Sequence, residues 1–174
     1  MNYITTTLVA AAAVIGLTSA ASAQFQEQDI ELRLSGNSQT DVEFDSTQLD
    51  LTASVGYFFA DQIEGGVRQN VRYNDIGVNA LDGSTAVFAN YHFGEVGSEL
   101  QPFVGASFGY NYGDSVTDTF FAGPEGGVKY FLAESWFLFG QVEYQFFFED
   151  DEAADDAIDD GTFIFSLGLG VILE

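Results

Sequence analysis

The basic side chains of this sequence share a positional pattern with a group of its acids. The chain has four basic residues, Arg33, Arg68, Arg72 and Lys129, against 27 Asp and Glu. All four lie at the polar positions of segments in which polar and apolar side chains alternate. The same polar positions hold five acids: Glu31, Asp50, Glu64, Glu125 and Glu143. Buried charges persist when they are paired and hydrogen-bonded, so polar positions that face an interior predict an ion-pair network across several strands.

His92, the one histidine, also falls at a polar position. A catalytic histidine needs a nucleophile or another titrating partner within hydrogen-bonding reach. The chain has no Cys, and no Ser lies two residues after His92. We therefore expect His92 to be a hydrogen-bonded filler, and we expect neither an enzyme nor a bound cofactor.

A run of acids between Glu149 and Gly161 is the second feature with chemical potential. It holds Glu149, Asp150, Asp151, Glu152, Asp155, Asp156, Asp159 and Asp160. Such a run is typical of a solvated, self-repelling loop, which suits high salt. The alternative is divalent-cation binding, including cations that bridge surface lipopolysaccharide, with Asp150, Asp151, Asp155 and Asp156 as candidate ligands. The order Asp-x-Asp-x-Asp-Gly of an EF-hand loop is absent.

The overall charge limits the partners. The formal net charge is −23, and nucleic acid binding needs clustered cations, so nucleic acid is excluded. Cations and basic proteins remain as soluble counterparts.

The segment Trp136–Phe148, WFLFGQVEYQFFF, shows the element that positions these charges. Alternate residues form one face that is apolar or aromatic throughout and a second face with Gln141, Glu143 and Gln145 at its centre. A period of two predicts a β-strand with unlike surroundings on its two sides. Its length suits a tilted strand that crosses a bilayer.

The same alternation recurs eight times. The predicted strands are Ile30–Ser35, Gln48–Phe59, Ile63–Tyr73, Thr85–Phe93, Val104–Tyr112, Phe120–Leu132, Trp136–Phe148 and Phe163–Leu173. The segments Gly36–Asp45 and Asn74–Gly83 are predicted to be polar loops, and Pro124 predicts a bulge or a local break inside the sixth strand. Connections after odd-numbered strands are expected to be longer than those after even-numbered strands, as in outer-membrane barrels with short periplasmic turns and long external loops.

Aromatic residues on the apolar faces gather at the strand ends, as they do where side chains meet two lipid head-group layers. The alternative is a soluble eight-stranded barrel with its apolar face inside. That barrel would carry lysine outside, whereas this chain has almost no lysine and its polar face is rich in Gly, Ser and Ala. The sequence therefore predicts an all-β fold, an eight-stranded antiparallel up-and-down transmembrane β-barrel with the charges in its lumen.

The first 23 residues are typical of a secretory signal peptide. A short apolar stretch, Leu8–Leu17, precedes Ala21-Ser22-Ala23, a small-x-small cleavage pattern, although the first seven residues hold no Lys or Arg. The predicted domains are a signal peptide at residues 1–23 and a barrel at residues 24–174. This apolar stretch is too short to span a membrane comfortably, and no later segment has the ~18 consecutive apolar residues of a transmembrane helix.

Four stretches carry a resemblance to a known family: LDLTASVGYFFADQIEGGV, QPFVGASFGYNYG, GPEGGVKYFLAESWFLFGQVEYQF and FSLGLGVIL. In them the chain resembles the small OmpA-like and OmpX-like porin-family barrels of the Gram-negative outer membrane. The resemblance implies that the assembly machinery of that membrane inserts the chain, with lipids and lipopolysaccharide as neighbours. Such barrels usually end in an aromatic residue, whereas this chain ends in Glu174.

The function expected from this combination is a non-enzymatic structural or surface-interaction barrel, monomeric, with a plugged lumen and acidic external loops. Both termini are expected on the periplasmic side. A narrow channel for ions or small solutes, gated by ion pairs that change partners, is the first alternative. A lipid-modifying enzyme is the second, and the lipid-facing positions offer it no histidine.

Secretion in a Gram-negative host tests the predicted cleavage site. Mass spectrometry of the purified mature protein is expected to give Gln24 as the first residue. Ala23→Arg is expected to abolish cleavage because the small-x-small site is lost, and Gln24→Ser serves as its control. A mature chain that retains Met1 would show that the segment is an anchor.

Overall fold

The computed structural model describes residues 26–40, 47–75, 80–94, 98–116, 118–148 and 161–174. Within these ranges the chain forms eight strands: β1 (Ile30–Thr40), β2 (Thr47–Ala60), β3 (Ile63–Asn74), β4 (Ala80–His92), β5 (Leu100–Gly113), β6 (Thr119–Phe131), β7 (Trp136–Phe148) and β8 (Thr162–Leu173). The predicted signal peptide and the acidic run at 149–160 lie outside the described residues.

The eight strands form a closed antiparallel barrel in sequence order, so the predicted fold is confirmed. Each strand pairs with its successor, and β1 pairs with β8 from Ile30 opposite Leu173 to Ser35 opposite Gly168. We call the end at which β1 starts and β8 finishes the terminal end. The opposite end, where β1 joins β2 and β7 joins β8, is the loop end.

Burial alternates along the strands as the sequence pattern predicts. In β1, Ile30, Leu32 and Leu34 are exposed, whereas Glu31 and Arg33 are buried. Successive side chains of a strand point to opposite faces, so a closed sheet turns one set outward and the other into the lumen. The exposed apolar set therefore forms the outer surface of the barrel.

The described residues form no helix that is long and apolar enough to cross a membrane.

Aromatic side chains fill the terminal end of the lumen. Phe58, Phe131, Phe137, Phe139 and Ile172 form one buried cluster. Phe131 and Phe137 lie on the two strands that the connection at residues 132–135 joins, with ring centroids 5.2 Å apart. An eight-stranded barrel is just wide enough for side chains to fill, and these rings occupy that width.

Two predicted strand boundaries and one expectation about connection lengths are wrong. β1 continues to Thr40 and β4 begins at Ala80, so both strands enter segments that were predicted to be loops. The connection at 93–99, at the terminal end, is longer than those at 75–79 and 114–118, at the loop end. The expected difference in connection length therefore fails there, because backbone pairing continues through polar residues such as Asp82, which lies opposite Arg72.

The predicted irregularity at Pro124 is confirmed as a break and not as a bulge. Pairing of β6 with β7 stops at Ala122 opposite Phe146 and resumes in the same register at Glu125 opposite Glu143. On its other side Pro124 stays in the ladder, opposite Ala106. A register shift occurs instead between β2 and β3, at Phe58 and Ala60.

Gly66 tests the close packing of the barrel wall. A Cβ atom at Gly66 would collide with the Val55 carbonyl oxygen and lie 2.8 Å from the Gly56 Cα, whereas a Cβ at Gly126 would meet the Phe103 carbonyl oxygen at 3.4 Å. Gly66→Ala is expected to lower the free energy of unfolding by about 1–3 kcal/mol, the usual cost of overpacking. Gly126→Ala, the matched control, is expected to change it by less than about 0.5 kcal/mol. Urea unfolding in lipid vesicles measures both, and equal effects would contradict the close approach at Gly66.

Candidate functional site

The largest group of buried charges lies near the terminal end of the lumen. The Lys129 Nζ lies 2.5 Å from a Glu31 oxygen and 3.4 Å from a Glu64 oxygen. Arg33 lies 3.0 Å from Glu31 and 3.5 Å from Glu64, and the His92 Nε2 lies 3.0 Å from Glu64. We call these five residues the terminal-end cluster. Two cations and two carboxylates balance within it, and its members come from β1, β3, β4 and β6.

Phenylalanine rings surround the cations of this cluster. The Lys129 Nζ lies 5.3–5.7 Å from the ring centroids of Phe58, Phe103 and Phe137. The Arg33 guanidinium carbon lies 4.8 Å from the Phe88 centroid. Cations attract the faces of aromatic rings within about 6 Å, and more strongly where water is excluded. The rings therefore fill space and stabilise the charges at once.

A second group, the middle cluster, is centred on Arg68. One terminal nitrogen of the Arg68 guanidinium lies 2.7 Å from Glu143, and the other lies 2.8 Å from Glu125. The Ser107 hydroxyl donates to Glu143 at 2.6 Å, and the Gln141 amide donates to Glu125 at 3.2 Å. The Gln141 carbonyl oxygen in turn accepts a hydrogen bond from Arg33 at 3.2 Å, so the middle and terminal-end clusters form one continuous network.

The remaining cation lies nearer the loop end. Arg72 pairs with Asp50 at 2.9 Å, and the Asn70 amide donates to the same carboxylate at 2.7 Å. The Arg72 side chain is 43% exposed, against 12% for Arg68. All nine charges that the sequence pattern selected thus point into the lumen, in three groups along the barrel axis.

Two features of the lumen were missed by the sequence reasoning. Asp82 is buried and accepts hydrogen bonds from the backbone amide of Ser115, at 2.8 Å, and from its hydroxyl. It was assigned to a loop, although it has the same parity as the inward residues of β4. The inward phenylalanines occupy positions on the polar faces of the strands. Our interpretation of those faces rested on their Gly, Ser and Ala residues, so the packing of aromatic rings in the lumen was not predicted.

A cavity of about 710 Å³ occupies the loop-end part of the lumen. It reaches down to Arg33 and Phe139, and its polar wall includes Asn70, Arg72 and Asp50. Its charged lining residues are Arg33, Arg68, Arg72, Asp50, Asp82 and Glu143. Three cations thus face three carboxylates, and the lining carries no net charge.

The candidate metal ligands Asp150, Asp151, Asp155 and Asp156 lie outside the described residues, so that hypothesis stays a prediction. Within the described ranges, no group of three or more His, Cys, Asp or Glu residues is placed to hold a metal ion.

The barrel described above has counterparts among known proteins. Residues 1–173 match the model of the OprF membrane domain family. The chain belongs to this family. The family resemblance drawn from the sequence is confirmed, and so is the outer membrane of a Gram-negative bacterium as the location.

Solved structures of outer-membrane barrels show the same fold as this OprF-family chain. The N-terminal β-barrel domain of Pseudomonas aeruginosa OprF is 21% identical, with 84% of this chain and 98% of that domain covered and a TM-score of 0.62. OprG from Pseudomonas aeruginosa is 13% identical, with coverage of 88% and 99% and a TM-score of 0.59. Neisserial surface protein A is 16% identical, with coverage of 84% and 94% and a TM-score of 0.52.

Removal of one buried cation tests what the network contributes. Lys129→Met keeps much of the side-chain volume but leaves Glu31 and Glu64 short of a partner, so we expect a loss of about 3–5 kcal/mol in the free energy of unfolding. Arg72→Met, which breaks the half-exposed pair, is expected to cost about 0–1 kcal/mol. Urea unfolding in vesicles, followed by the fluorescence of Trp136, the one tryptophan, gives both values. Equal losses of unfolding free energy in the two variants would show that burial of an ion pair does not increase its contribution to stability.

Proposed function

We propose that this OprF-family chain is a non-enzymatic structural and surface-interaction barrel whose lumen is closed at the terminal end. One observation carries the proposal. Side chains that are less than 2% exposed lie together across the lumen: Glu31, Phe58, Glu64, His92, Phe103, Lys129 and Phe137. The almost complete burial of this layer supports a lumen that is closed to ions at this level.

The network explains why the layer stays closed. Arg33 and Lys129, the cations of the terminal-end cluster, each contact a carboxylate on another strand. The phenylalanine rings occupy the remaining width of the lumen. An ion that passed through would have to separate buried pairs, and breaking such a pair is costly because it leaves an uncompensated charge. The plug is therefore a consequence of the same contacts that stabilise the barrel.

A narrow channel is the second candidate, and the cavity favours it. Among the described residues the cavity extends through the loop-end part of the lumen down to Arg33, so a channel would have to open the terminal-end layer beyond it. A channel state would need Lys129 and Arg33 to exchange partners and move the rings with them.

Contact with the outside is assigned to the connections at the loop end. We place this end on the extracellular side and both termini on the periplasmic side, with the acidic run 149–160 as the largest contact surface. This run would meet divalent cations and lipopolysaccharide, and the barrel would act as a monomer. Loops on a rigid scaffold commonly carry such contacts.

The absence of enzymatic activity has a direct test. A lipid-modifying enzyme would change the mass spectrum of lipid A when the protein is expressed. We expect an unchanged spectrum, because His92 is buried in the lumen against Glu64 and away from lipid.

Conductance in planar bilayers separates the plug from the channel. The refolded protein is expected to give no stepwise single-channel currents. The double variant Phe103→Ala/Phe137→Ala, which empties part of the layer, is expected to conduct. The control Phe59→Ala alters an exposed ring on the outer face and is expected to stay silent.

Barrel formation in each variant is checked by heat-modifiable gel mobility. Reproducible currents from the unaltered protein that disappear when Arg68 or Glu143 is changed would overturn the plug in favour of the channel.

A further inference from the structure

The seam between β1 and β8 is shorter than the two strands that form it. Their pairing ends at Ser35 opposite Gly168. β1 nevertheless continues to Thr40, paired with β2, and β8 already begins at Thr162, paired with β7. Within the described residues, Gly36–Thr40 and Thr162–Leu167 therefore each have a neighbouring strand on one side only. We call the space between these two segments the seam gap.

Side-chain exposure shows the same gap. Phe165 and Leu167 are each 78% exposed, the highest values among the large apolar side chains in the described ranges. Leu169, on the same face of β8 but opposite Leu34 in the paired part of the seam, is 51% exposed. The difference is expected when the neighbouring strand that would cover one flank of a side chain is absent.

The backbone at the gap has polar groups that face β1. The Ile172 amide donates to the Ser135 carbonyl oxygen, on the side of β7. Hydrogen-bonding directions alternate along a strand, so Leu167 and Phe165 direct their N–H and C=O groups toward β1. A bilayer tolerates unpaired backbone groups only where they border protein or a water-filled cavity.

The cavity in the lumen supplies that border. Its lining includes Ser35 and Gly36 of β1 and Ile164 of β8, and it also includes Phe165 and Leu167. Phe165 and Leu167 belong to the outward apolar face of β8. A cavity that also borders these two residues extends as far as the seam gap.

The two walls of the cavity differ in chemistry. The side of β7 and β8, which we call the apolar wall, carries Phe139, Phe147 and Ile164 beside polar residues such as Gln145 and Thr162. The side of β2 and β3, the polar wall, carries Thr52 and Asn70 with the paired Arg72 and Asp50. The charges of the lining balance, so the polar wall favours hydrogen-bonding groups without net charge. A volume of about 710 Å³ is in the range of small-molecule sites.

We propose that the seam gap is a lateral entrance, through which an amphipathic molecule dissolved in the bilayer binds in the cavity. The ligand class is a single apolar chain with an uncharged, hydrogen-bonding head. The chain occupies the gap and the apolar wall, and the head reaches the polar wall. This ligand binding is an addition to the proposed function of a closed barrel. The ligand reaches the cavity without passing through the terminal-end layer.

Photolabelling tests the entrance. The full mature protein is reconstituted in phosphatidylcholine vesicles with a long-chain alcohol that carries a diazirine, and the labelled peptides are mapped after illumination. The bilayer-dissolved probe labels outward residues such as Val104 in any case. The proposal requires additional label on the inward residues Phe147 and Ile164, which excess unlabelled alcohol removes.

Two cysteine pairs provide the matched comparison, since the chain has no cysteine of its own. Ser38→Cys/Phe165→Cys, in the continued register, closes the gap when oxidised. Leu34→Cys/Leu169→Cys joins residues that already face each other across the same seam. Oxidation of the first pair is expected to abolish inward labelling and reduction to restore it, whereas the second pair is expected to change nothing.

Other outcomes overturn the proposal. Inward labelling that survives closure of the gap would place the entry at the loop end. Label confined to outward residues would show that the cavity binds no such molecule. Disulfide-linked dimers of the single variant Ser38→Cys, with no inward label, would assign the gap to a second copy of the chain. Heat-modifiable mobility confirms that each variant has formed its barrel.

Discussion

Lys129, between the carboxylates of Glu31 and Glu64, is the contact on which the rest of the barrel depends. A barrel in lipid must turn its charges inward, and a lumen this narrow must then neutralise them without water. The balance of two cations and two carboxylates meets that requirement. The phenylalanine rings pack around these charges, so ring packing and charge pairing depend on each other.

The two halves of the lumen differ because their inward side chains differ in size. Near the terminal end the inward positions hold Phe58, Phe103 and Phe137, which pack ring against charge. Toward the loop end they hold smaller residues such as Ser54, Ala86 and Asn111, which leave space above Arg68. The distribution of phenylalanine among the inward positions therefore decides where the lumen is filled and where it is hollow.

The faces of every strand could be predicted because alternation has a period of two and depends on nothing beyond the strand itself. The partner of a given charge could not. Lys129 meets Glu31, 98 positions away, only because strand tilt brings β6 and β1 to the same height, and no local pattern encodes tilt. The boundaries of β1 and β4 were missed for a related reason: pairing with a neighbour, not alternation, extends these strands through polar residues. The seam gap depends likewise on the register of the first and last strands.

The wide separation in sequence of the paired charges has a consequence for how the barrel forms. Glu31, Glu64 and Lys129 lie on β1, β3 and β6, so a partly formed sheet carries charges whose partners are still distant. A charge that entered the bilayer without its partner would be exposed to lipid. Arg33 already neighbours Glu31 on β1 and reaches Glu64 on β3, whereas Lys129 meets both carboxylates only when β6 joins. The balance of two cations and two carboxylates is therefore complete only after the sixth strand has taken its place.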